Sequence, residues 1–191
     1  MANTVENNMR QFLSSRKTLV MATVDKNGAP NASYAPFVTR TPWLYVYTSA
    51  RAKHTQNMTE TTRASVMFIE DETRSGNLFA RKRFTSQCRA EVVERESKEW
   101  RAVMSLFKKK FGKVFAMIRP LPDFTLFRLI PSGGLYVYGF GQALEVTWPP
   151  TKASAVDVED AERDAATILA SRAADGTISC RGNPLNPSIR P

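Results

Sequence analysis

Short runs of alternating apolar and polar residues, separated by turn sequences, recur over the first three quarters of the chain. Such alternation is typical of half-buried strands, and antiparallel neighbours joined by short turns favour a β-barrel over βαβ units. The runs predict strands at residues 18–24, 30–40, 43–48, 63–70, 83–95, 124–130 and 135–146. The last two are expected to form a hairpin around residues 131–134.

Two features within these runs predict local geometry. The sequence Asp25-Lys26-Asn27-Gly28 is typical of a hairpin turn, because Asn-Gly accepts positive φ. Pro36 lies inside the second run and has no amide hydrogen, so we expect an edge strand or a bulge there.

Four helices are predicted, three of them from apolar residues at helical spacing. We expect a first helix capped by Thr4, a short helix between the third and fourth strands, and a helix capped by Ser97. A further helix is expected within residues 158–174, followed by a mobile tail rich in Gly, Asn and Pro. The predicted organisation is therefore a barrel domain at 1–146 with peripheral helices, and a C-terminal extension at 147–191.

Positive charge is concentrated in the predicted barrel. Residues 1–150 hold 22 lysines and arginines against 12 acidic residues, while residues 151–191 hold 5 against 6. This surplus suits an anionic partner such as a nucleic acid, a nucleotide cofactor or a carboxylated tetrapyrrole. Phe107 and Phe111 are four residues apart and predict a buried helix face, with Lys108, Lys109 and Lys110 on the solvent side. This pattern argues against nucleic acid.

The rare residue types exclude several kinds of chemistry. His54 is the only histidine, and Cys88 and Cys180 are far apart, so a zinc site built on several imidazoles or a cysteine pair is excluded. No phosphate-binding glycine loop is present, and Gly139-Phe140-Gly141 is expected within a strand. Any redox chemistry would then need a bound cofactor. No apolar run reaches the length of a membrane span and no signal peptide is evident, so we expect a cytoplasmic protein without membrane association.

The segment from residue 43 to residue 68 contains the best candidate for an anion site. A strand ends at Thr48-Ser49, and Arg51, Lys53 and His54 follow closely. Hydroxyl groups and cationic side chains together suit a phosphate or a carboxylate. The alternative is a solvated basic turn between two strands.

The order of these motifs resembles the pyridoxamine 5′-phosphate oxidase-like, FMN-binding split β-barrel superfamily, and within it the bacterial haem-utilisation branch. The resemblance covers roughly residues 10–146 and is carried by TLVMATVDKNGAPNASYAPFV, YTSARAKHTQNM, IEDE, LFARKRFT, DFTLFRL and GFGQALEV. It implies an α+β antiparallel split barrel that forms a homodimer, with a small-molecule cofactor at the subunit interface.

The resemblance also implies which residues hold FMN. Ser33 occupies the place of a basic residue, Tyr47 and Thr48 match a Tyr-Thr pair, Lys53 and His54 fall on an Arg-Lys pair, and Arg83 replaces a glutamine. These six residues are the predicted cofactor-binding set, with Thr48, Lys53, His54 and Arg83 expected to hold the phosphate. The C-terminal Trp and Arg of the oxidases have no counterpart, which argues against vitamin B6 oxidation itself.

In the haem branch, a C-terminal histidine ligates the iron and a carboxylate of the partner subunit orients it. Asp123 matches that carboxylate, but no histidine follows residue 54. Without that histidine, Asp123 is interpreted as a turn residue beside Pro122. We expect an FMN-binding oxidoreductase-like protein linked to haem or iron utilisation. The alternatives are a haem-degrading enzyme with another iron ligand, and a haem carrier without catalysis.

Overall fold

The protein is built on one antiparallel sheet, in which six strands close into a barrel. The structure is a computed structural model that describes residues 2–148, with side chains from residue 5, and the backbone of 153–157. The strands are β1 Thr18–Val24, β2 Pro30–Arg40, β3 Trp43–Ser49, β4 Arg63–Ile69, β5 Arg83–Val93, β6 Phe124–Pro131, β7 Gly134–Gly139, β8 Gln142–Val146 and β9 Ala153–Asp157. Their order is β4-β1-β2-β3-β6-β5-β7-β8-β9, and an additional pairing of β4 with β5 closes the ring. The predicted α+β antiparallel barrel is confirmed.

Within the described residues, three α-helices accompany the barrel: α1 Ala2–Ser15, α2 Lys53–Thr61 and α3 Lys98–Ile118. Ser97 caps α3, because its hydroxyl accepts a hydrogen bond from the amide of Trp100 at 3.1 Å. The first helix begins at Ala2 rather than after Thr4, so the predicted cap at Thr4 is wrong. No helix among the described residues is both long and apolar enough to cross a bilayer.

Two apolar clusters hold these elements together. The barrel interior contains residues such as Leu19, Phe68 and Phe127, together with Met9 and Phe12 of α1. The second cluster lies outside the barrel, where Trp100 and Phe107 of α3 pack over β2, β3 and β6. As a result, β3 is buried on both faces from Leu44 to Thr48.

The pairing of the last strands differs from our expectation. β6 pairs with β3 and β5, while β7 pairs with β5 and β8, so the predicted hairpin around 131–134 is wrong. The predicted strand 135–146 is divided at Phe140 and Gly141, whose φ of 63° suits the turn between β7 and β8. Phe140 and Gly141 therefore form the turn, and Gly139 is the last residue of β7.

Pro36 lies where β2 changes partners. It is opposite Thr18 at the start of β1, and pairing with β3 begins at the next residue, Phe37. A missing amide hydrogen is tolerated at such a transition, although β2 is neither an edge strand nor bulged there. The hairpin turn at Asp25–Gly28 is confirmed, with Gly28 at φ 83°.

Lys110 is exposed, as predicted, but its ammonium group also makes contacts that the helical spacing did not predict. Its ammonium group donates to the carbonyl oxygens of Arg16 at 2.9 Å and Phe37 at 3.0 Å, and lies 4.1 Å from the centre of the Phe37 ring. Partial desolvation of its ammonium group, with the charge of Lys17 nearby, lowers the pKa of Lys110. This lysine ties α3 to β2 and to the end of α1.

The C-terminal predictions lie largely outside the described residues. These are the helix at 158–174, the tail and Cys180. Within the described part, β9 follows β8 in the sheet, and one compact unit extends from Met1 to Val156. The boundary at residue 146 stays a prediction.

A charged network fixes the beginning of α3 to the sheet. Arg128 on β6 donates to Glu91 on β5 and to both carboxylate oxygens of Glu99 on α3. The hydroxyl group of Tyr45 also donates to Glu99, at 2.7 Å. Burial, with Glu99 nearby, raises the pKa of Tyr45 to about 12. The hydrogen bond from Arg128 lowers the pKa of Glu91.

This network predicts acid sensitivity. A carboxylate with a lowered folded-state pKa stabilises the fold above its ordinary pKa of about 4.5, and this stability is lost as the pH falls through the folded-state value. The parent should therefore be more stable than Glu91→Gln at pH 7, and the difference should shrink below pH 4.5. Urea unfolding at several pH values tests this, with Glu60→Gln, an exposed change on α2, as the control. A difference that is independent of pH would contradict it.

Candidate functional site

Tyr47 and Thr48 are placed on opposite faces at the end of β3. Tyr47 is under α3, where burial raises its pKa and its hydroxyl donates to the carbonyl oxygen of Arg119 at 3.0 Å. Thr48 is 5% exposed, and its hydroxyl accepts a hydrogen bond from Thr55 of α2 at 2.9 Å. Tyr47 is thereby linked to the end of α3, and Thr48 is linked to α2.

Lys53 and His54 begin α2 beside the first hairpin turn. The Lys53 ammonium lies 3.9 Å from a carboxylate oxygen of Asp25, and its side chain is 54% exposed. His54 is half-buried, and burial lowers its pKa below the ordinary value of 6.5. Because its imidazole is therefore mainly neutral at pH 7, Lys53 is the cation of this predicted pair.

Ser33 occupies the inner strand β2 opposite Met21 of β1. Its hydroxyl donates to the carbonyl oxygen of Met21 at 3.4 Å. This position supplies a neutral group that is already engaged with the backbone.

Arg83 lies at the other end of the barrel from Lys53. Arg83 is opposite Ile69, and the register of β4 on β1 puts Ile69 level with the start of β1. Asp25, which contacts Lys53, follows the end of β1, a strand of seven residues. At about 3.3 Å per residue the separation is roughly 20 Å. One chain therefore does not bring Arg83 together with Lys53 and His54, and a site that uses all three needs a second copy.

Asp123 is fixed against the end of β3 by two contacts. Its carboxylate accepts a hydrogen bond from the Ser49 hydroxyl at 2.8 Å, and its carbonyl oxygen accepts one from the amide of Ala50 at 2.7 Å. Asp123 is thus a turn residue, as its position beside Pro122 indicates, and its carboxylate is held near the predicted cationic segment.

Arg95 orders the connection that carries Asp123. Its guanidinium donates to the carbonyl oxygens of Arg119, Pro120, Leu121 and Phe124 at 3.2 to 3.5 Å. It also lies 5.6 Å from the centre of the Trp100 ring. The sequence gives no sign of this role, because these four carbonyl groups are 24 to 29 residues away along the chain.

An aromatic cleft of about 340 Å³ opens beside Tyr47 and Phe124. Its other walls are Pro36 of β2 and residues of α3: Phe107, Phe111, Val114, Phe115 and Ile118. Gly112 has non-helical angles, φ 61° and ψ −133°, and interrupts α3 between the two halves that supply these residues. The aromatic residues and the glycine within 107–115 are evident in the sequence, but their pattern predicts a helix face and not this cleft.

The cleft offers a ligand apolar contacts and almost no hydrogen bonds. Tyr47 provides the only polar side-chain group in its lining, and that hydroxyl is bound to the carbonyl oxygen of Arg119. Arg95 and Arg119 influence the pKa of Tyr47, so guanidinium groups are near this end of the cleft. Among the described residues, no cluster of His, Cys, Asp or Glu could hold a metal ion.

The closed antiparallel barrel, with one helix across its end and another over β3, defines a split-barrel protein. Residues 5–138 match the model of the pyridoxamine 5′-phosphate oxidase family, and the chain belongs to this family.

The most informative relatives are connected with haem. The chain is 45% identical over 143 residues to the heme oxygenase HutZ of Vibrio cholerae, covering 75% of this chain and 81% of that protein. A crystal structure of HutZ, described as a heme storage protein, superposes with a TM-score of 0.67 at 43% identity, covering 71% of this chain and 96% of the other. Campylobacter jejuni ChuZ superposes with a TM-score of 0.71 at 31% identity, covering 76% and 60%.

We predict that Arg95→Gln loosens the connection at residues 119–124. The variant cannot make the four carbonyl contacts, so amide hydrogen exchange in this segment should become faster, by about tenfold if 1.4 kcal/mol of local stability is lost. Arg101→Gln is the control, because Arg101 forms an exposed pair with Glu96. Unchanged exchange in Arg95→Gln would show that the packing of α3 alone orders the turn.

Proposed function

We propose that this protein binds haem and acts in haem utilisation. The aromatic cleft beside Tyr47 is the observation that carries the proposal. HutZ, which is more than 40% identical to this chain, is described both as a heme oxygenase and as a heme storage protein, and both descriptions support the same ligand.

The lining of the cleft suits haem better than FMN. The haem macrocycle has methyl and vinyl edges, which are satisfied by aromatic and aliphatic walls. The flavin ring carries N–H and C=O groups that lose hydrogen bonds to water when they are buried, and such groups need partners. The side chains around the cleft offer no free partner.

The predicted FMN-binding residues provide little positive charge for the phosphate of FMN. Ser33 is neutral and engaged with Met21, and His54 is mainly uncharged at neutral pH. A phosphate dianion would then depend largely on Lys53 within one chain. FMN binding, with an oxidoreductase activity, is the second candidate, since residues 5–138 match the oxidase family.

Haem also needs positive charge for its two propionates. We propose that Lys53 of one copy and Arg83 of a second copy serve this purpose, because one chain holds them roughly 20 Å apart, as the strand spacing indicates. When bound, haem would supply the redox-active iron. The chain itself would hold the ring, exclude water from its apolar faces and fix the Asp123 carboxylate through Ser49.

The iron ligand must differ from the C-terminal histidine of the haem branch. His54 is the only histidine in the chain and precedes all of the expected ligand region. Haem degradation and haem storage are therefore both candidate functions. Adding a reductant to the haem complex distinguishes them. Loss of the Soret band with product bands after ascorbate is added indicates degradation, while a persistent Soret band indicates a carrier.

A titration with haem tests the proposal. Purified protein should develop a Soret band on adding haem, while FMN should bind weakly or not at all. Arg83→Ala should weaken haem binding by about 10- to 150-fold if it makes a charge-assisted contact. Lys53→Ala should weaken it by roughly 2- to 5-fold, because an exposed cation contributes less.

Lys108→Ala is the matched control, since this exposed lysine of α3 lies outside the cleft. It should bind haem like the parent. FMN binding that exceeds haem binding would overturn the proposal. Unchanged haem affinity in both Arg83→Ala and Lys53→Ala would show that the propionates lie elsewhere.

We also propose a homodimer, which this haem site requires. Tyr45 and Tyr136 are buried within the chain and therefore offer no surface for an interface. Tyr34 is 70% exposed, and Val20 and Met67 lie on the same outer face of β1, β2 and β4. A second copy could cover this apolar face.

Light scattering should give twice the chain mass of 21.4 kDa at micromolar concentration. Tyr34→Lys should shift the protein towards the monomer, because a charge would be buried at the interface. Phe140→Lys, at an exposed turn, should leave the mass unchanged. A stable monomer for the parent would contradict the dimer.

A further inference from the structure

A second cavity, of about 500 Å³, lies between α1 and the adjoining ends of β4, β5 and β7. Its volume is within the range of small-molecule sites. It shares no lining residue with the aromatic cleft, and its character is different because most of its lining is polar. An inference drawn from it does not depend on haem binding.

The hydroxyl group of Tyr136 on β7 faces this cavity and has no hydrogen-bond partner among the described residues. The residue is only 2% exposed and lines the cavity. Among the described side chains, Asn57 Oδ1 is the only unpartnered polar atom that is completely enclosed. The Tyr136 hydroxyl therefore reaches the cavity, where a ligand could satisfy it.

One carboxylate, that of Glu70, acts on this hydroxyl. Glu70 lines the same cavity at the end of β4, and its amide donates to the carbonyl oxygen of Lys82 at 2.9 Å, which fixes its backbone. The pKa of Tyr136 is raised by burial first, and then by Glu70 and Tyr138, with no cation acting against them. The ring of Tyr138 stacks on that of Tyr136 with centres 5.7 Å apart.

We propose that this cavity binds a small organic amine, with its ammonium group between the Glu70 carboxylate and the Tyr136 hydroxyl. An ammonium group has donors and no acceptor, so both oxygen atoms can accept from it. The neighbouring phenol rings favour a cation as well. Phe12 and Val5 provide an apolar wall for the organic part of the ligand.

The cavity also selects against a second positive charge. Lys82 is exposed at its rim and would repel a polyamine. Asn8 and Gln11 of α1 offer amide groups to neutral polar substituents. The ligand class is therefore a monoamine with an aromatic or polar body.

Calorimetric titration of the haem-free, full-length protein tests this directly. Tyramine is the probe, and 4-hydroxyphenylacetate, which replaces the amine with a carboxylate, is its matched counterpart. We expect binding of tyramine and none of the acid. Equal binding of the two compounds, or binding of the acid alone, would overturn the proposal.

Two variants and one control locate the site. Glu70→Gln should weaken tyramine binding by about 10- to 150-fold, and Tyr136→Phe by about 2- to 12-fold, the ranges for a charge-assisted and a neutral hydrogen bond. Glu60→Gln, an exposed change on α2, should bind like the parent. Urea unfolding verifies that each variant is folded. Parent-like affinity in folded Glu70→Gln would refute the site, while haem titration of the same variant should be unaffected.

Discussion

The burial of β3 on both faces is the constraint on which the rest of the structure depends. Leu44 and Val46 point into the barrel, while Tyr45 and Tyr47 point outwards under α3. An outward tyrosine on a barrel strand would expose a large apolar surface unless another element covered it. The helix α3 is that element, and Trp100, Phe107 and Phe115 supply its contacts.

Covering β3 has consequences beyond stability. The chain must return from the end of α3 to β6, beside the end of β3, and Arg95 binds four carbonyl groups of that return. Asp123 and Ser49 are thereby brought within 2.8 Å. The break at Gly112 lets the last part of α3 leave the ideal helical path, and the aromatic cleft lies where it does so. The packing of one helix thus creates both the cleft and the ordered turn next to it.

Much of the barrel could be predicted from the sequence, because alternation fixes which face of a strand is buried. The bounds of β1 and β2 and the Ser97 cap agree with the structure. Pairing was harder to predict, since β6 and β7 are adjacent along the chain yet each pairs with β5. Lys110 shows a related limit: its partners, Arg16 and Phe37, are 94 and 73 residues away, so the spacing of charges within its own helix could not reveal them.

The candidate site illustrates what a motif cannot specify. The resemblance selects Lys53, His54 and Arg83, but only the strand registers show that they are divided between opposite ends of one barrel. A cofactor with a single phosphate gains little from charges roughly 20 Å apart, the separation implied by strand geometry. A second copy changes this, since a two-fold axis can bring the Arg83 end of one barrel towards the Lys53 end of the other. If the apolar face around Tyr34 joins two copies, as we propose, dimer formation would also assemble the charges that bind the ligand.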